Sequence, residues 1–322
     1  MNSAPTLAVV IPSWNSLALL RRCLDSLAGQ AGHELLVVDN GSEDGSVAFL
    51  EERGVPHVAL PENVGFAAAV NLGAARVGAE AILALNADTV LEPGALAALA
   101  RELGRDERLG GVQPRILQLE GGDGEAAPDV DAARVYSAGM AVSADGRAFE
   151  EGAGGPQRTP HLLEHEVFGV CGAACLLRRE LFEQLGGYDE RYFAFYEDVD
   201  LNVRARIAGW RFAYVPEAVV WHVGNATWMT GFERPGAENA RLVARNRLAT
   251  QVKYMPLSAA PRIAAVEAGA LARAATQRRL VPTARGKLEA LKWLPALLGE
   301  RRRLRRDGDV GRARRWLGAR TG

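Results

Sequence analysis

The feature that most constrains this chain is a series of short runs that are apolar at nearly every position, separated by stretches with helical periodicity. Residues 7–11 form the first such run and stop at Pro12; residues 34–39, 57–60 and 81–85 repeat the theme. Between the first two stand Leu17, Leu20, Cys23, Leu24 and Leu27, three and four apart as on one helix face, ended by Gly29 and Gly32. A short helix over 44–53 and an Ala-rich helix over 66–77 follow. A fourth helix has Pro93 near its first turn. A strand that is apolar on both sides must be covered on both sides. The predicted fold is therefore α/β, a mostly parallel central sheet flanked by helices. In such sheets ligands bind beyond the carboxyl ends of the strands.

Those ends are polar. Ser13-Trp14-Asn15 follows the first run, Asp39-Asn40-Gly41-Ser42 the second, Asn63-Val64-Gly65 the third and Asn86-Ala87-Asp88 the fourth. Turn and cap roles would account for any one of these sets. Four sets on one rim read as a site.

Residues 118–165 change character, with Gly-rich stretches around an alternating segment near 135–142, and are expected to be a flexible insertion or hairpin. Regular structure resumes over 167–177, with helices over 179–185, 198–208 and 236–254, and a strand-turn-strand over 210–223 turning at Pro216. The domain reading is a body over 1–255 and a basic helical extension over 256–322.

The densest chemistry is Glu197-Asp198-Val199-Asp200, behind Tyr192, Phe193, Phe195 and Tyr196, where a helix should begin. Helix capping explains one acid there. Three like charges in one turn raise one another's proton affinity, a cost more often tolerated at a functional site. Arg204, one turn on from Asp200, is placed to pair with it and leave Asp198 freer to take a proton. Asp88 alone is weak evidence for a hard cation, which usually completes its shell with substrate oxygens. His222, after an apolar run, reads as a satisfied strand-end residue unless it ends near Asp88. His161-Leu-Leu-Glu164-His165 spells the H-x-x-E-H pattern of a zinc protease, though Pro160 and Gly169 leave barely two helical turns around it.

The composition, 48% hydrophobic and 24% charged over 322 residues, is globular and excludes wholesale disorder. No apolar run reaches the roughly 18 residues that cross a bilayer. The N-terminal segment lacks the basic n-region of a signal peptide. Cys23, Cys171 and Cys175 form no disulfide framework and are expected to be reduced, in the cytoplasm. The net charge of −1 hides a split: residues 262–322 carry 16 Lys and Arg against 5 Asp and Glu, a net of +11 against −12 for the rest. The Arg-rich runs 301–306 and 312–315 read either as a solvated helical face or as a contact for an anionic membrane surface. Trp293 and Trp316 would then lie at headgroup level. The acidic body argues against nucleic acid.

Taken in order, Val9-Val-Ile-Pro-Ser-Trp-Asn15, Val38-Asp-Asn-Gly-Ser42 with Asp44, Asn63-Val-Gly-Phe66 with Asn71, Asn86-Ala-Asp88, Gly186-Gly-Tyr-Asp-Glu190 and Tyr196-Glu-Asp-Val-Asp-Leu201 resemble the family 2 glycosyltransferases, most of all their bacterial rhamnosyltransferase-like branch. The resemblance covers about residues 7–227. It implies a GT-A fold and inverting transfer of rhamnose or another hexose from a nucleotide diphosphate sugar, such as dTDP-rhamnose or a UDP-sugar. The implied acceptor is a hydroxyl of a glycan or lipid-linked molecule in cell-surface polysaccharide synthesis, at the inner face of the membrane.

Pro12, Ser13, Trp14, Asn15, Asp39, Asn40, Gly41, Ser42, Asn63, Gly65, Asn71, Asn86 and Asp88 match donor-binding positions. Asp88 and His222 match the contacts of a divalent metal, Mg²⁺ or Mn²⁺. Asp198 matches the catalytic base, with Gly172, Glu197 and Asp200 on the acceptor side. Two departures stand out: Asn86 replaces the first acid of the D-x-D motif, and Trp14 replaces the usual Tyr. A pseudoenzyme of the same fold, binding nucleotide sugars without turnover, is the competing reading.

Overall fold

Strands β1 (Leu7–Ser13), β2 (His33–Asp39), β3 (His57–Ala59) and β4 (Ala81–Leu85) lie parallel, in the spatial order β3-β2-β1-β4. Alternate residues of β1 show why its run is apolar throughout. Leu7, Val9 and Ile11 join a core built with Leu20, Leu24 and Leu27 of α1 (Leu17–Ala28). Ala8 and Val10 face the opposite core, which includes Val70 and Ala74. Helices α2 (Ser46–Glu52), α3 (Phe66–Ala74) and α4 (Ala95–Leu103) complete the two layers. Gly73 lets α3 approach the sheet: a Cβ there would lie 2.3 Å from a Val10 methyl.

The computed structural model describes residues 4–30, 32–119, 129–224, 235–308, 310–314 and 316. Beyond β4 the sheet becomes mixed. Strand β5 (Thr89–Leu91) leads toward β6 (Leu109–Gln118), a long strand that the sequence pattern did not reveal. β7 (Val135–Ser137) pairs with β6, and β8 (Met140–Val142) with β9 (Ala148–Glu150) forms a separate hairpin. The expected insertion thus contains strand structure; residues 120–128 of it lie outside the described set. β10 (His165–Val167), β11 (Ala174–Arg178) and β12 (Arg211–His222) complete the sheet, in the order β10-β12-β6-β11-β4. β11 is antiparallel to both its neighbours, whereas β6 and β12 run parallel.

Residues 210–223 are not strand-turn-strand. They form one strand whose register against β6 shifts between Val215 and Val219, so Pro216 sits at a bulge, where its missing N–H costs no ladder bond.

Helices α5 (Arg179–Gln184) and α6 (Glu197–Ala208) flank β11, and α7 (Pro235–Tyr254) crosses behind the aromatic segment before α6. The extension consists of α8 (Ala260–Thr276), α9 (Leu280–Lys292), α10 (Leu294–Asp307) and α11 (Val310–Arg314). Among the described residues no helix is long and apolar enough to cross a membrane.

The extension is tied to the body by buried polar contacts. Arg301 donates to the Val252 and Met255 carbonyls at 2.8 and 2.6 Å. Trp316 lies under the Arg206 guanidinium at 4.4 Å, and Trp293 under Arg245 at 4.8 Å. Both rings are partly buried and engaged with cations of the protein.

Candidate active site

Asp198 lies in the first turn of α6 and borders a cleft of about 280 Å³. Its Oδ2 accepts from the Gly172 amide at 2.9 Å and its Oδ1 from the Val199 amide at 2.7 Å. The segment carrying Gly172 is held from both sides. Gln113 Oε1 accepts from the Cys171 amide at 2.6 Å, and the Asn202 side chain both accepts from the Val170 amide and donates to its carbonyl. Asn202 is fully buried on α6, so one helix supplies the acid and fixes the loop opposite it. Burial raises the Asp198 carboxyl above the usual carboxylate range, opposed by those amides. Such a group is a stronger base once ionised.

Two further carboxyls share the cleft. Glu197, 6% exposed, is raised well above its ordinary value by burial and by the Asp198 charge, and its Oε2 has no hydrogen-bond partner. Glu150, at the end of β9, was not anticipated. Its Oε2 accepts from the Ser137 hydroxyl at 2.6 Å, and burial together with Asp198 pushes it up to about 8. A ligand oxygen of Glu150, one of Asp198 and the Cys171 sulfur all lie within 4.8 Å of one another. Burial holds the Cys171 thiol well above its ordinary range. A protonated thiol is a poor partner for a hard cation.

The far wall holds the strand ends. Asn86 and His222 line the same cleft as Asp198, and Asn86 Nδ2 lies 3.3 Å from His222 Nε2. That ring nitrogen is also 3.1 Å from Asp88 Oδ1, with both side chains 4% exposed. The juxtaposition follows from topology. β5 leaves the Asn86–Asp88 turn antiparallel to β12 and pairs Thr89 with His222. Tyr136 packs edge-on against the imidazole at 4.4 Å, while His222 Nδ1 is buried without a partner. A carboxylate and an imidazole in contact, with the Asn86 side chain beside them, suit a borderline divalent ion such as Mn²⁺.

The residues expected on the donor side form a second connected group at the ends of β1, β2 and β3. Pro12 and Ser13 end β1, where Ser13 Oγ lies 3.1 Å from Ser16 Oγ. Trp14 is half-buried beside Asn15, whose φ is +46°. The Asn15 amide donates to Ser42 Oγ at 2.9 Å. Asp39, fully buried, accepts from the Ser42 amide through Oδ1 and leaves Oδ2 without a partner. Asn40 accepts from the Val64 amide and donates to the Gly65 carbonyl. Asn63 Oδ1 accepts from the Gly65 amide at 2.9 Å. Two glycines are obligatory. Gly41 (φ +77°) would put a Cβ 2.8 Å from the Glu62 backbone, and Gly65 (φ +94°) one 2.6 Å from the Phe193 ring. The Phe193 contact, with Phe66 lining the cleft, joins this group to the Asp198 side.

Two expected site residues are otherwise employed. Asn71 spends its amide on Tyr188 and Glu190, donating at 2.9 and 3.0 Å and accepting from the Tyr188 amide. It is a strut between α3 and the Gly186–Gly187 turn. Asp200 does not face the cleft. It is fully buried and accepts from Arg204 (2.6 Å), Lys253 (2.7 Å) and Tyr254 (2.6 Å). Those cations hold its carboxyl below the usual range against the effect of burial. The Arg204 pairing expected from spacing is present, but most of the node comes from α7.

The zinc-protease pattern does not assemble. His161 is in a 3-10 turn, His165 begins β10 and packs on Tyr214, and Glu164 pairs with Arg105. Two imidazoles on one helix face, which that chemistry needs, are not there.

The aromatic segment before α6 is strained. Phe193, Phe195 and Tyr196 have φ of +65°, +66° and +69°. It is held by Asn246, fully buried on α7, whose Nδ2 donates to the carbonyls of Tyr192, Ala194 and Phe195 at 2.9, 2.8 and 2.7 Å.

Among known proteins, the chain is 32% identical over 223 residues to N-acetylglucosaminyl-diphospho-decaprenol L-rhamnosyltransferase of Mycobacterium tuberculosis, covering 61% of this chain and 68% of that protein. It is 29% identical over 241 residues to the O-antigen biosynthesis protein RfbC of Myxococcus xanthus, spanning 18% of that longer protein. Two solved structures share the fold at 17% identity. One is GalNAc-T7 with UDP, GalNAc and Mn²⁺ (TM-score 0.58; 77% of this chain, 51% of that one). The other is the Pyrobaculum calidifontis mannosyltransferase PcManGT with GDP-Man and Mn²⁺ (TM-score 0.52; 94% and 85%). The fold is thus GT-A-like. The family model described as glycosyltransferase like family 2 matches residues 4–241, and the chain belongs to that family.

Proposed function

We propose that this protein is an inverting, metal-dependent glycosyltransferase with Asp198 as its catalytic base. It moves rhamnose or another hexose from a nucleotide diphosphate donor, such as dTDP-rhamnose or a UDP-sugar, to a hydroxyl of a glycan or lipid-linked acceptor. The observation that carries this reading is the cleft that Asp198 shares with Asn86 and His222, the latter in contact with Asp88. Similarity to the mycobacterial N-acetylglucosaminyl-diphospho-decaprenol L-rhamnosyltransferase supports a rhamnosyl donor and a polyprenyl diphosphate acceptor. Work at the cytoplasmic face of the membrane, in cell-surface polysaccharide synthesis, follows from that acceptor class.

A sugar hydroxyl is a weak nucleophile, so its proton must leave as the new bond forms. A positioned base contributes roughly 10²- to 10⁴-fold. Asp198 is held by the Gly172 and Val199 amides, which fix its carboxylate and leave lone pairs for an acceptor proton. Glu150, pushed up to about 8, keeps its proton near neutrality and adds no repulsion beside Asp198, while Glu197 is raised well above the ordinary carboxyl range by burial and by the Asp198 charge. Displacement by a single activated hydroxyl inverts the anomeric carbon. Asp88 and His222, with Asn86, would hold Mg²⁺ or Mn²⁺. Such an ion supplies charge neutralisation to the departing diphosphate. Asp39, Asn40 and Ser42 would orient the nucleoside.

The test is Asp198→Asn, assayed for transfer and for nucleotide-sugar binding by thermal shift with Mg²⁺ or Mn²⁺. Transfer should fall at least about 10³-fold while the ligand-induced rise in Tm persists. Normal turnover by that variant removes Asp198 from the role.

A further inference from the structure

Helix α9 has its apolar side chains the wrong way round for a core helix. Thr283, Gly286 and Ala290 are the buried residues, and they pack on α7; Gly286 sits so close that a Cβ would lie 2.1 Å from the Arg241 carbonyl oxygen. The large apolar residues point outward: Leu280, Val281, Leu288 and Leu291 are 43%, 78%, 62% and 50% exposed. At 100° per residue, Val281 and Leu288 lie within about 20° of each other and opposite the Gly286–Ala290 stripe. Arg285 and Lys292 border the same face, both exposed. Arg278 and Arg279 precede it, also exposed. The acid of this helix, Glu289, is taken up by Arg241 and Arg285. Leu257 and Leu298, 77% and 38% exposed, lie in the same extension.

We propose that the outer face of α9 is a docking surface for an anionic phospholipid bilayer, with Val281, Leu288 and Leu291 entering the acyl boundary and Arg285 and Lys292 meeting phosphates. A patch of outward aliphatic residues rimmed by cations matches an interface that is apolar within and negative at its rim. A second copy of this chain fits poorly, because apposed α9 faces would bring like cations together. The surface differs from the Arg-rich run that sequence composition pointed to, where Arg302, Arg303, Arg305 and Arg306 are exposed but Arg301 is buried. It rests on the proposed function for its purpose. Arg241 and Val243 lie on opposite sides of α7, the first against α9 and the second lining the Asp198 cleft. The thickness of two helices, α9 and α7, roughly 20 Å, therefore separates the docking face from the cleft.

The experiment is flotation of the full chain with vesicles of phosphatidylglycerol and phosphatidylcholine, against phosphatidylcholine alone. A Val281→Ser/Leu288→Ser variant and an Arg302→Gln/Arg303→Gln/Arg305→Gln variant are run alongside. The wild type should float with anionic vesicles, and the α9 variant should partition at least about tenfold less. Both positions are exposed, so the fold should be untouched; thermal shift with a nucleotide sugar checks this. Equal flotation of wild type and α9 variant, loss only in the Arg302/Arg303/Arg305 variant, or sedimentation showing α9-dependent dimers instead of vesicle binding overturns the proposal. Absence of nucleotide-sugar binding would count against the enzymatic reading instead, leaving the flotation result to stand by itself.

Discussion

Replacing Glu150 by Gln isolates the electrostatics of the cleft. In the folded protein this carboxyl holds its proton to about 8, because burial disfavours its charge and Asp198 ionises beside it. In the unfolded chain it ionises near 4.5. Between those values the native state binds one more proton than the unfolded state, so Glu150 makes stability fall as pH rises through that window and levels off above it. At 1.36 kcal/mol per pH unit the full interval is worth about 5 kcal/mol; partial exposure of the side chain reduces this to roughly 2–3. Gln keeps the size and can still pair with the Ser137 hydroxyl, but carries no titratable proton. Urea denaturation at half-unit steps from pH 5 to 9 should show wild-type stability declining relative to the variant by that amount. The two curves should converge toward pH 5. Parallel curves across the range would mean that Glu150 is ionised at neutrality and that the proton-holding role given to it is mistaken.

Other perturbations bear on how the site is held. Asn246→Ala should lose the donor shared by three buried carbonyls, destabilising the fold by about 2–4 kcal/mol. It should also lower transfer more than donor affinity, because the strained segment before Asp198 relaxes; unchanged kcat in a folded variant would refute this. Lys253→Met should cost about 3–5 kcal/mol, since Asp200 stays buried with less compensation. The Asp200 carboxyl is depressed in the native state, so its contribution is complete above about pH 4 and is lost as pH falls below it. The wild type should therefore show a steeper acid limb than Lys253→Met in a denaturation series. Asp88→Asn should raise the Mn²⁺ concentration for half-maximal transfer by about tenfold or more, read from a metal titration, with nucleotide-sugar binding in the absence of metal unchanged.

What could be read from sequence tracks where the physics is local. β1, β4 and the second half of β2 were legible because both their faces are buried, which leaves an unbroken apolar run; β3, at the sheet edge, is only partly buried. β6 was not, because Gly110, Gly111, Gln113 and Pro114 interrupt it. The glycines are there because Leu181 and Leu177 side chains already fill the places of their Cβ atoms, at 2.1 and 2.8 Å. Only the folded sheet reveals that. Asp198 and the pairing of Asp88 with His222 could be anticipated from motif order. Glu150 could not, since it belongs to no motif and reaches the cleft only through the β8–β9 hairpin. Asp200 looked equivalent to its neighbours because its partners, Lys253 and Tyr254, are more than 50 residues away.

Lys253 also reaches Glu300 on α10 at 3.0 Å, and Glu300 in turn holds Arg191 at 2.8 Å, next to the aromatic segment. The C-terminal extension is thereby wired to the first turn of α6, which carries Asp198. A chimera that borrows acceptor preference by exchanging C-terminal helices between relatives would carry over its partner's active-site alignment as well, or lose its own, unless Lys253, Asp200 and Glu300 travel as a set.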